Sequence, residues 1–367
     1  MTVSRQVFFG FVTVTAMSVL TASCAAIDPE SVSDSAGMLV GTGRPVPASA
    51  ETPAVGTAVK DAADDPEIWA DPRNPSRGVI LGTDKQAGLY VYDLTGKQTQ
   101  FLPVGPLNNV DLRDGFVVDG KPQVLVAASD RGRMGMALFL LDPDSLQVRE
   151  WGVVKSPVSE PYGFCLGRFG GTVTAVMVGK NGDVRQSTVA AEGGQPKATE
   201  TRSFAVGTQS EGCVVDDATG ALYVAEEAKG IWRYGLDPAQ GAARTLLAGA
   251  PSEMLKPDVE GLTLLREGAR TWLIASSQGD SAFAVWRVDQ PQATYAGRFS
   301  VMGANGVDPV TGTDGLAALG GSVGAFPEGL VVVQDDADTD GEAPSTARTR
   351  QNFKLVDWRA VKAALGL

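Results

Sequence analysis

The most informative absence in the sequence is histidine, which does not occur among its 367 residues. This absence excludes Ser-His-Asp and Cys-His catalytic machinery, histidine-ligated zinc and phosphohistidine chemistry. Any catalysis must therefore use carboxylates, Lys, Arg, Tyr or a metal that is held by oxygen ligands. Oxygen-only ligation favours calcium or magnesium.

Cysteine is scarce, with three in the whole chain. Cys24 lies in the N-terminal segment, which leaves Cys165 and Cys213 for the rest of the protein. These two could pair in an oxidising compartment, but spacing alone does not specify a disulfide. We favour the interpretation that both are buried free thiols.

A hydrophobic run of full membrane-spanning length is also missing. Residues 7–22 are apolar but short for a bilayer span, and Arg5 precedes them. This pattern predicts a signal peptide over residues 1–26 and an exported protein, secreted or periplasmic. The stretch LTASC, which ends at Cys24, resembles a bacterial lipobox, so lipid anchoring is one alternative and an uncleaved anchor helix is another. Residues 27–55 are rich in Ser, Pro, Gly and Ala and are predicted to form a flexible linker.

Positive charge is in the minority, since the net charge is −12 and the pI is about 4.6. This balance argues against nucleic acid and anionic lipid surfaces as partners. No protein partner is indicated, and we expect a monomer. An apolar content of 43% is enough for a sizeable core, and 44 glycines and 21 prolines suit a turn-rich all-β chain.

Three families of short segments recur about every 50 residues. The first is apolar and ends in polar residues: GVILGTD (78–84), QVLVAASD (123–130), TVTAVMVGK (172–180), ALYVAEE (221–227), TWLIASSQGD (271–280) and EGLVVVQDD (328–336). The second alternates like a strand and follows each of the first five. The third places a polar residue at the start of an apolar strand, at Asp65, Asp111, Tyr162, Glu211, Glu260 and Asp314.

Three repeating registers with room for four short strands in each repeat predict an all-β fold, a six-bladed β-propeller. We assign residues 56–367 to this single domain. A two-domain sandwich is the rival architecture, and the even spacing disfavours it. A helical period is found only in the last dozen residues.

Acidic residues recur in the same registers, beginning with DAADDPEIW at residues 61–69. If the third family opens the strands nearest the axis, these carboxylates meet at one end of the channel. The expected ring comprises Asp64, Asp65, Asp111, Glu211, Glu260 and Asp314, with Glu227, Asp258 and Asp335 close by. So many carboxylates require raised pKa values or bound cations. With the amide of Gln278 they would form an all-oxygen cage suited to Ca²⁺. The alternative for any one of them is a turn cap.

Cationic residues fall beside the acidic register, at Lys85, Arg131 and Lys180. Such side chains suit a multiply phosphorylated ligand, because Arg binds phosphate oxygens bidentately and Lys acts as a point charge. Ordinary salt bridges to the acidic ring are the alternative.

Several motifs in order along the chain resemble the β-propeller phytases, also called alkaline phytases. They include DAADDPEIWADPRNP, GTDKQAGLYVYDLTGK, GPLNNVDLRDGF, EPYGF, PDVEGLTL, ASSQGDS and QNFKLVDW, and the resemblance covers roughly residues 58–360. It implies a six-bladed propeller of the 3-phytase type. It also implies calcium-dependent hydrolysis of phytate, myo-inositol hexakisphosphate, to lower inositol phosphates and phosphate. A calcium-activated water would attack phosphorus directly, and the substrate would be phytate or calcium-phytate.

The resemblance also implies roles for individual positions. Lys85, Arg131 and Lys180 match the family's phosphate-binding cations. Residues around the catalytic calciums are matched by Tyr162, Glu211, Glu227, Asp258, Glu260 and Gln278, of which Tyr162, Glu211, Glu227 and Glu260 are expected to be catalytic. Other calcium positions are matched by Asp64, Asp65, Asp308, Asp314 and Asp335. The chain departs from the usual family pattern at Glu67, Gln86, Asp114 and Asn181.

Two other functions remain as alternatives. One is a different calcium propeller hydrolase, such as a sugar lactonase, which would not need Lys85, Arg131 and Lys180 to converge. The other is a non-enzymatic binding scaffold in which calcium only staples the blades.

Overall fold

A computed structural model describes residues 1–3, 40–59 and 61–367. The predicted signal peptide beyond residue 3, including Cys24, lies outside the described residues. The first part of the predicted linker lies outside them as well. All described strands belong to one compact unit, Ser33–Leu367. No helix in the described part of the chain is long and apolar enough to cross a membrane.

Six sheets make up the fold. Within each sheet, strands that follow one another in the chain pair in antiparallel fashion. From the axis outward, blades 1 to 3 consist of β3 (Ala63–Asp71), β4 (Asn74–Asp84), β5 (Gly88–Asp93) and β6 (Gln98–Leu102); β7 (Leu107–Val118), β8 (Lys121–Asp130), β9 (Gly135–Leu141) and β10 (Val148–Lys155); and β11 (Pro161–Phe169), β12 (Thr172–Gly179), β13 (Asp183–Glu192) and β14 (Gln195–Ala205).

Blades 4 to 6 repeat the arrangement. They consist of β15 (Ser210–Asp216), β16 (Ala221–Glu226), β17 (Gly230–Gly235) and β18 (Arg244–Gly249); β19 (Val259–Glu267), β20 (Arg270–Ser277), β21 (Ala282–Arg287) and β22 (Thr294–Met302); and β23 (Leu316–Gly320), β24 (Gly329–Asp335) and β25 (Asn352–Asp357). The first strand of each blade contacts the first strands of both neighbouring blades, and β23 contacts β3. This closed ring confirms the six-bladed β-propeller. The third predicted family opens its innermost strands.

The N-terminal segment closes the propeller in a way that the sequence did not predict. β1 (Arg44–Pro47) adds a parallel fifth strand to blade 5, and β2 (Ala50–Glu51) pairs with β25 as the outermost strand of blade 6. The prediction of a linker up to residue 55 is therefore wrong over these two strands. Val46 and Ala48 are fully buried, so this segment packs into the core despite its loop-like composition.

The hydrophobic core is divided into six clusters, each of which lies between two adjacent blades. Middle strands such as β9 are buried along their whole length because another blade packs on each face. Outer strands such as β14 consist mostly of exposed and partly buried residues. The predicted C-terminal helix is α1 (Trp358–Leu365), whose buried Trp358 packs near Trp272.

Cys165 in β11 and Cys213 in β15 form a disulfide that joins blades 3 and 4, with their Cα atoms 5.6 Å apart. The interpretation as free thiols is wrong. The two cysteines lie just after equivalent positions in two adjacent innermost strands. They are therefore close in space although 48 residues separate them in sequence.

Candidate functional site

Five of the six innermost strands share a β-bulge near their first residues, and β23 is the exception. The pairing register shifts between Ala63 and Pro66 in β3, and between Leu107 and Val110 in β7. The same shift recurs at the start of β11, β15 and β19. A bulge re-aims side chains and is common beside active sites. Here the bulged positions are Asp64-Asp65, Asn108-Asn109, Tyr162-Gly163, Glu211-Gly212 and Glu260-Gly261.

Glycine at the second bulge position allows the innermost strands to approach one another. A Cβ on Gly163 would lie 1.9 Å from the backbone oxygen of Glu211 in the next blade. A Cβ on Gly212 would lie 2.1 Å from the backbone oxygen of Glu260. The Tyr-Gly and Glu-Gly pairs of the sequence are therefore explained by close packing around the ring.

Five buried carboxylates meet at the end of the channel where these strands begin. They form the axial cluster, which consists of Asp64, Glu211, Glu227, Glu260 and Asp314. Oxygen atoms of Asp64, Glu211 and Asp314 lie within 4.8 Å of one another, and so do those of Glu211, Glu227 and Glu260. Glu211 therefore belongs to both groups.

Burial shifts the acid–base equilibria of the axial cluster. Burial, followed by the negative charges of Glu211 and Asp258, raises the pKa of Glu227 to about 9. Burial also raises the pKa of Asp64 and of Glu260 well above the ordinary values. Oδ2 of Asp64, Oε1 of Glu227 and Oε2 of Glu260 are buried and accept no hydrogen bond from the described residues. Unsatisfied carboxylate oxygens are the donor set that a hard cation such as Ca²⁺ requires.

Lys85 lies among the carboxylates of the axial cluster rather than beside them. Its Nζ is 2.7 Å from Asp314 Oδ2, 3.0 Å from Asp61 Oδ2 and 3.3 Å from Asp64 Oδ1. Burial lowers the pKa of Lys85, but these carboxylates outweigh the effect and raise it overall. Lys85 therefore carries a permanent positive charge among the carboxylates.

Arg131 and Lys180 converge on the ring of Tyr162. The guanidinium carbon of Arg131 lies 5.9 Å from the ring centroid, and Lys180 Nζ lies 5.3 Å from it. Glu160 accepts hydrogen bonds from Arg131, with distances of 2.7 Å to Nε and 2.6 Å to Nη2. Lys180 also lines an open depression of about 450 Å³ with Ser159, Glu160, Asn181, Thr208 and Gln209. Two of the three cations that the sequence predicted to bind phosphate are thus neighbours.

Three further predicted ligands lie around this end of the channel, namely Asp65, Asp258 and Gln278. Asp65 is buried, and its Oδ2 accepts a hydrogen bond from the backbone of Val110 at 3.0 Å. The backbone nitrogen of Gln278 donates to the carbonyl of Asp258 at 3.0 Å, which holds these two residues side by side. Burial raises the pKa of Asp65 and of Asp258.

Asp111 is not part of the acidic ring, contrary to the prediction. It lies two residues beyond the bulge and lines a central cavity of about 410 Å³, where its Oδ1 is 2.7 Å from Arg113 Nη1. The internal repeat of the sequence matched Asp111 with Asp65 because both residues are acidic. The bulge instead places Asn108 and Asn109 in that register.

Asp308 and Asp335 belong to a second group in blade 6, and the closeness of Asp335 to the ring remains a prediction. Together with Glu51 and Asp338 they surround the fully buried ammonium of Lys354, and these five residues form the Lys354 cluster. Lys354 Nζ is 3.3 Å from Asp335 Oδ2. Burial raises the pKa of Asp335 to about 7.

Some residues of the site were not predicted from the sequence. Asn108 donates to Glu211 Oε1 at 2.7 Å, and Glu160 binds Arg131. Neither residue falls in one of the three repeating segment families, so the repeat did not predict them. The motif NNVD, which carries the resemblance, was the available signal for Asn108.

Comparisons with known proteins cover this same region. Residues 11–367 match the family described as Phytase. The chain is 35% identical over 319 residues to the 3-phytase of Bacillus subtilis (strain 168), an alignment that covers 83% of this chain and 82% of that protein. Among solved structures, it is similar to a chain of the nidogen/laminin complex, with 14% identity and a TM-score of 0.43 over 80% of this chain and 98% of that chain. It is also similar to U3-55K, with 11% identity and a TM-score of 0.47 over 84% and 99%. The Phytase match spans all six blades.

Proposed function

The chain belongs to the phytase family and is a phytate-hydrolysing enzyme of the 3-phytase type, and on that premise we propose that its reaction depends on calcium. The observation that carries this proposal is the set of buried carboxylate oxygens without a donor among the described residues, namely Oδ2 of Asp64, Oε1 of Glu227 and Oε2 of Glu260. Several ionised carboxylates at this spacing require compensation by positive charge, and Lys85 supplies only one.

The residues that would hold calcium are the axial cluster together with Asp65, Asp258 and Gln278. They offer oxygen atoms alone, which suits Ca²⁺ better than metals that prefer nitrogen or sulfur. Calcium held by these residues would supply positive charge next to the phosphate and would lower the pKa of the water that attacks phosphorus. The absence of histidine is consistent with direct attack by water.

The chain's own cations bind and orient the substrate. Arg131 and Lys180 flank Tyr162 at the mouth of the site, where they bind the oxygens of the phosphate groups. Lys85, buried among the carboxylates, offsets the negative charge that phosphate brings to the axial cluster. The convergence of these cations favours phosphate chemistry over the lactonase alternative.

We assign the Lys354 cluster a stabilising role outside the reaction. Its carboxylates already share a buried ammonium, and the group of Glu51, Asp308 and Asp338 also has the spacing of a metal site. Calcium binding by Asp308 and Asp335 therefore remains a prediction separate from catalysis.

The substrate is proposed to arrive as calcium-phytate, to a monomeric enzyme. The net charge of −12 would repel free phytate, and calcium reduces that repulsion. We expect the rate to rise and then fall as calcium is added, because excess calcium also occupies the phosphates that Arg131 and Lys180 must bind.

The deciding experiment measures phosphate release from phytate with millimolar calcium and with a chelator. If the chelator abolishes phosphate release, the result supports the proposal. If the chelator leaves phosphate release unchanged, the result contradicts calcium dependence. A protein that calcium stabilises but that releases no phosphate would favour the binding-scaffold alternative.

We also propose that the protein is exported. The apolar segment before residue 26 and the Cys165–Cys213 disulfide support this location, because disulfides persist in oxidising compartments. Fractionation of cells that express the full chain tests it, and recovery only from the cytoplasm would contradict it. Labelling with a lipid precursor distinguishes anchoring through Cys24.

A further inference from the structure

Two neighbouring asparagines occupy the bulge of blade 2, at the register where other blades carry acids or tyrosine. Asn108 is fully buried and Asn109 is 4% exposed. The backbone nitrogen of Asn109 donates to Ser129 Oγ at 3.0 Å, and this hydroxyl donates to the carbonyl oxygen of Tyr162. The amides are therefore held on rigid backbone.

Both amides contact Glu211 across the channel. Asn108 Nδ2 donates to Glu211 Oε1 at 2.7 Å. With its nitrogen turned toward the surrounding acceptors, the Asn109 amide donates to the same Oε1 at 2.9 Å and to the Tyr162 carbonyl oxygen at 3.0 Å. One oxygen of Glu211 thus accepts two hydrogen bonds from blade 2.

The choice of amides has a physical consequence. A Lys or Arg at this position would orient Glu211 but would also neutralise it and compete with a cation. Amide donors hold a carboxylate in one orientation while its charge remains available. Glu211 is the member that both groups of the axial cluster share, so its orientation affects both.

Asn108 makes a second contact that Asn109 lacks. Its Oδ1 accepts a hydrogen bond from Arg131 Nη1 at 3.3 Å. Asn108 therefore connects a predicted phosphate-binding cation with a predicted cation ligand.

We propose that Asn108 and Asn109 are positioning residues for phytate hydrolysis, which hold Glu211 in the orientation that binds a cation, and that Asn108 also aligns Arg131. The inference rests on the proposed function, because it takes Glu211 as a calcium ligand and Arg131 as a phosphate-binding residue.

The test compares Asn108→Ala and Asn109→Ala with Gln186→Ala as a matched control. Gln186 is 1% exposed and donates to the carbonyl of Leu236 at 2.8 Å, so its replacement also removes a buried amide but lies in β13, away from the axis. Four quantities are measured: kcat for phytate, KM for phytate, calcium affinity without substrate by calorimetry, and melting temperature in calcium-free buffer.

We expect Asn109→Ala to lower kcat and calcium affinity by about ten- to a hundredfold with little change in KM, as is typical when a residue behind a metal ligand is lost. Asn108→Ala should do the same and also raise KM, because Arg131 loses its contact. Gln186→Ala should lower the melting temperature and leave kcat, KM and calcium affinity unchanged.

Two asparagine variants that keep kcat and calcium affinity within about twofold of wild type would overturn the proposal, whatever their melting temperatures. If Asn108→Ala does not fold, Asn109→Ala decides alone, since both amides bind the same oxygen. If the wild type proves inactive with calcium, the proposed function fails. The calcium affinities then decide this inference independently, because a loss in the variants supports the positioning of Glu211 and equal values refute it.

Discussion

Replacing Glu227 with Gln should stabilise the calcium-free protein and inactivate the calcium-loaded one. Glu227 is 5% exposed, and burial followed by the charges of Glu211 and Asp258 raises its pKa to about 9. The folded protein therefore keeps this carboxyl protonated at neutral pH, whereas the unfolded chain releases the proton. Gln has nearly the same shape and carries no charge at any pH.

The size of the effect follows from proton linkage. The pKa of Glu227 in the unfolded chain is taken as the ordinary value of 4.5, so pH 7 lies about 2.5 units above it. Each of these pH units lowers the free energy of unfolding by about 1.4 kcal/mol, which amounts to about 3 kcal/mol at pH 7. Because the folded pKa is raised, the stability of the wild type is fully present below pH 4.5 and falls as pH rises toward 9. The variant lacks this loss. Its advantage should be near zero at pH 4.5 and about 5 °C in melting temperature at pH 7.

The assay is thermal unfolding in calcium-depleted buffer at several values between pH 5 and pH 8. Glu200→Gln is the control, since this residue is exposed on β14. A difference between Glu227→Gln and wild type that does not grow with pH would refute the reasoning, and so would a variant less stable than wild type at pH 8.

Calcium should reverse the order of stabilities. The wild type offers the buried Oε1 of Glu227 to the cation, and the amide of Gln offers a weaker ligand without charge. We therefore expect calcium to raise the melting temperature of the wild type more than that of the variant. Phosphate release by the variant should fall by at least about a hundredfold. Equal calcium responses would remove Glu227 from the set of ligands.

Three further predictions concern the cations and the disulfide. Lys180→Ala should raise KM for phytate about tenfold, because one charge-assisted contact is lost, while calcium should raise the melting temperature as much as in the wild type. The control is Lys197→Ala, which replaces an exposed lysine. An unchanged KM in Lys180→Ala would contradict the role of Lys180 in phosphate binding. Glu160→Gln should strengthen inhibition by inorganic phosphate several-fold, because Arg131 no longer pairs with a competing carboxylate; the same inhibition constant would argue against this competition. Joint replacement of Cys165 and Cys213 by Ser should lower the free energy of unfolding by about 4 kcal/mol in denaturant titrations, given the 48-residue separation, and a reductant that leaves the wild type equally stable would count against it.

Predictions from the sequence succeeded where the informative pattern is local in the chain. Near the start of each innermost strand a polar residue precedes an apolar run, so the repeat revealed the six blades and the end of the channel where Glu211 and Glu260 meet. They failed where a side chain's direction depends on a bulge. One extra residue in β7 places Asn108 and Asn109 toward the site and Asp111 into the channel, although Asp111 looked like the counterpart of Asp65.

The sequence alone was sufficient for the propeller, the phytase family and the acidic and cationic residues, because hydrophobic period, charge and motif order are properties of neighbouring residues. Only the tertiary structure decided which of these residues meet. Ring closure brings β2 to β25, Glu51 to Lys354 and Asn108 to Glu211, contacts between residues far apart in the chain. These contacts depend on how six twisted sheets close around one axis, and no local pattern in the chain encodes that geometry.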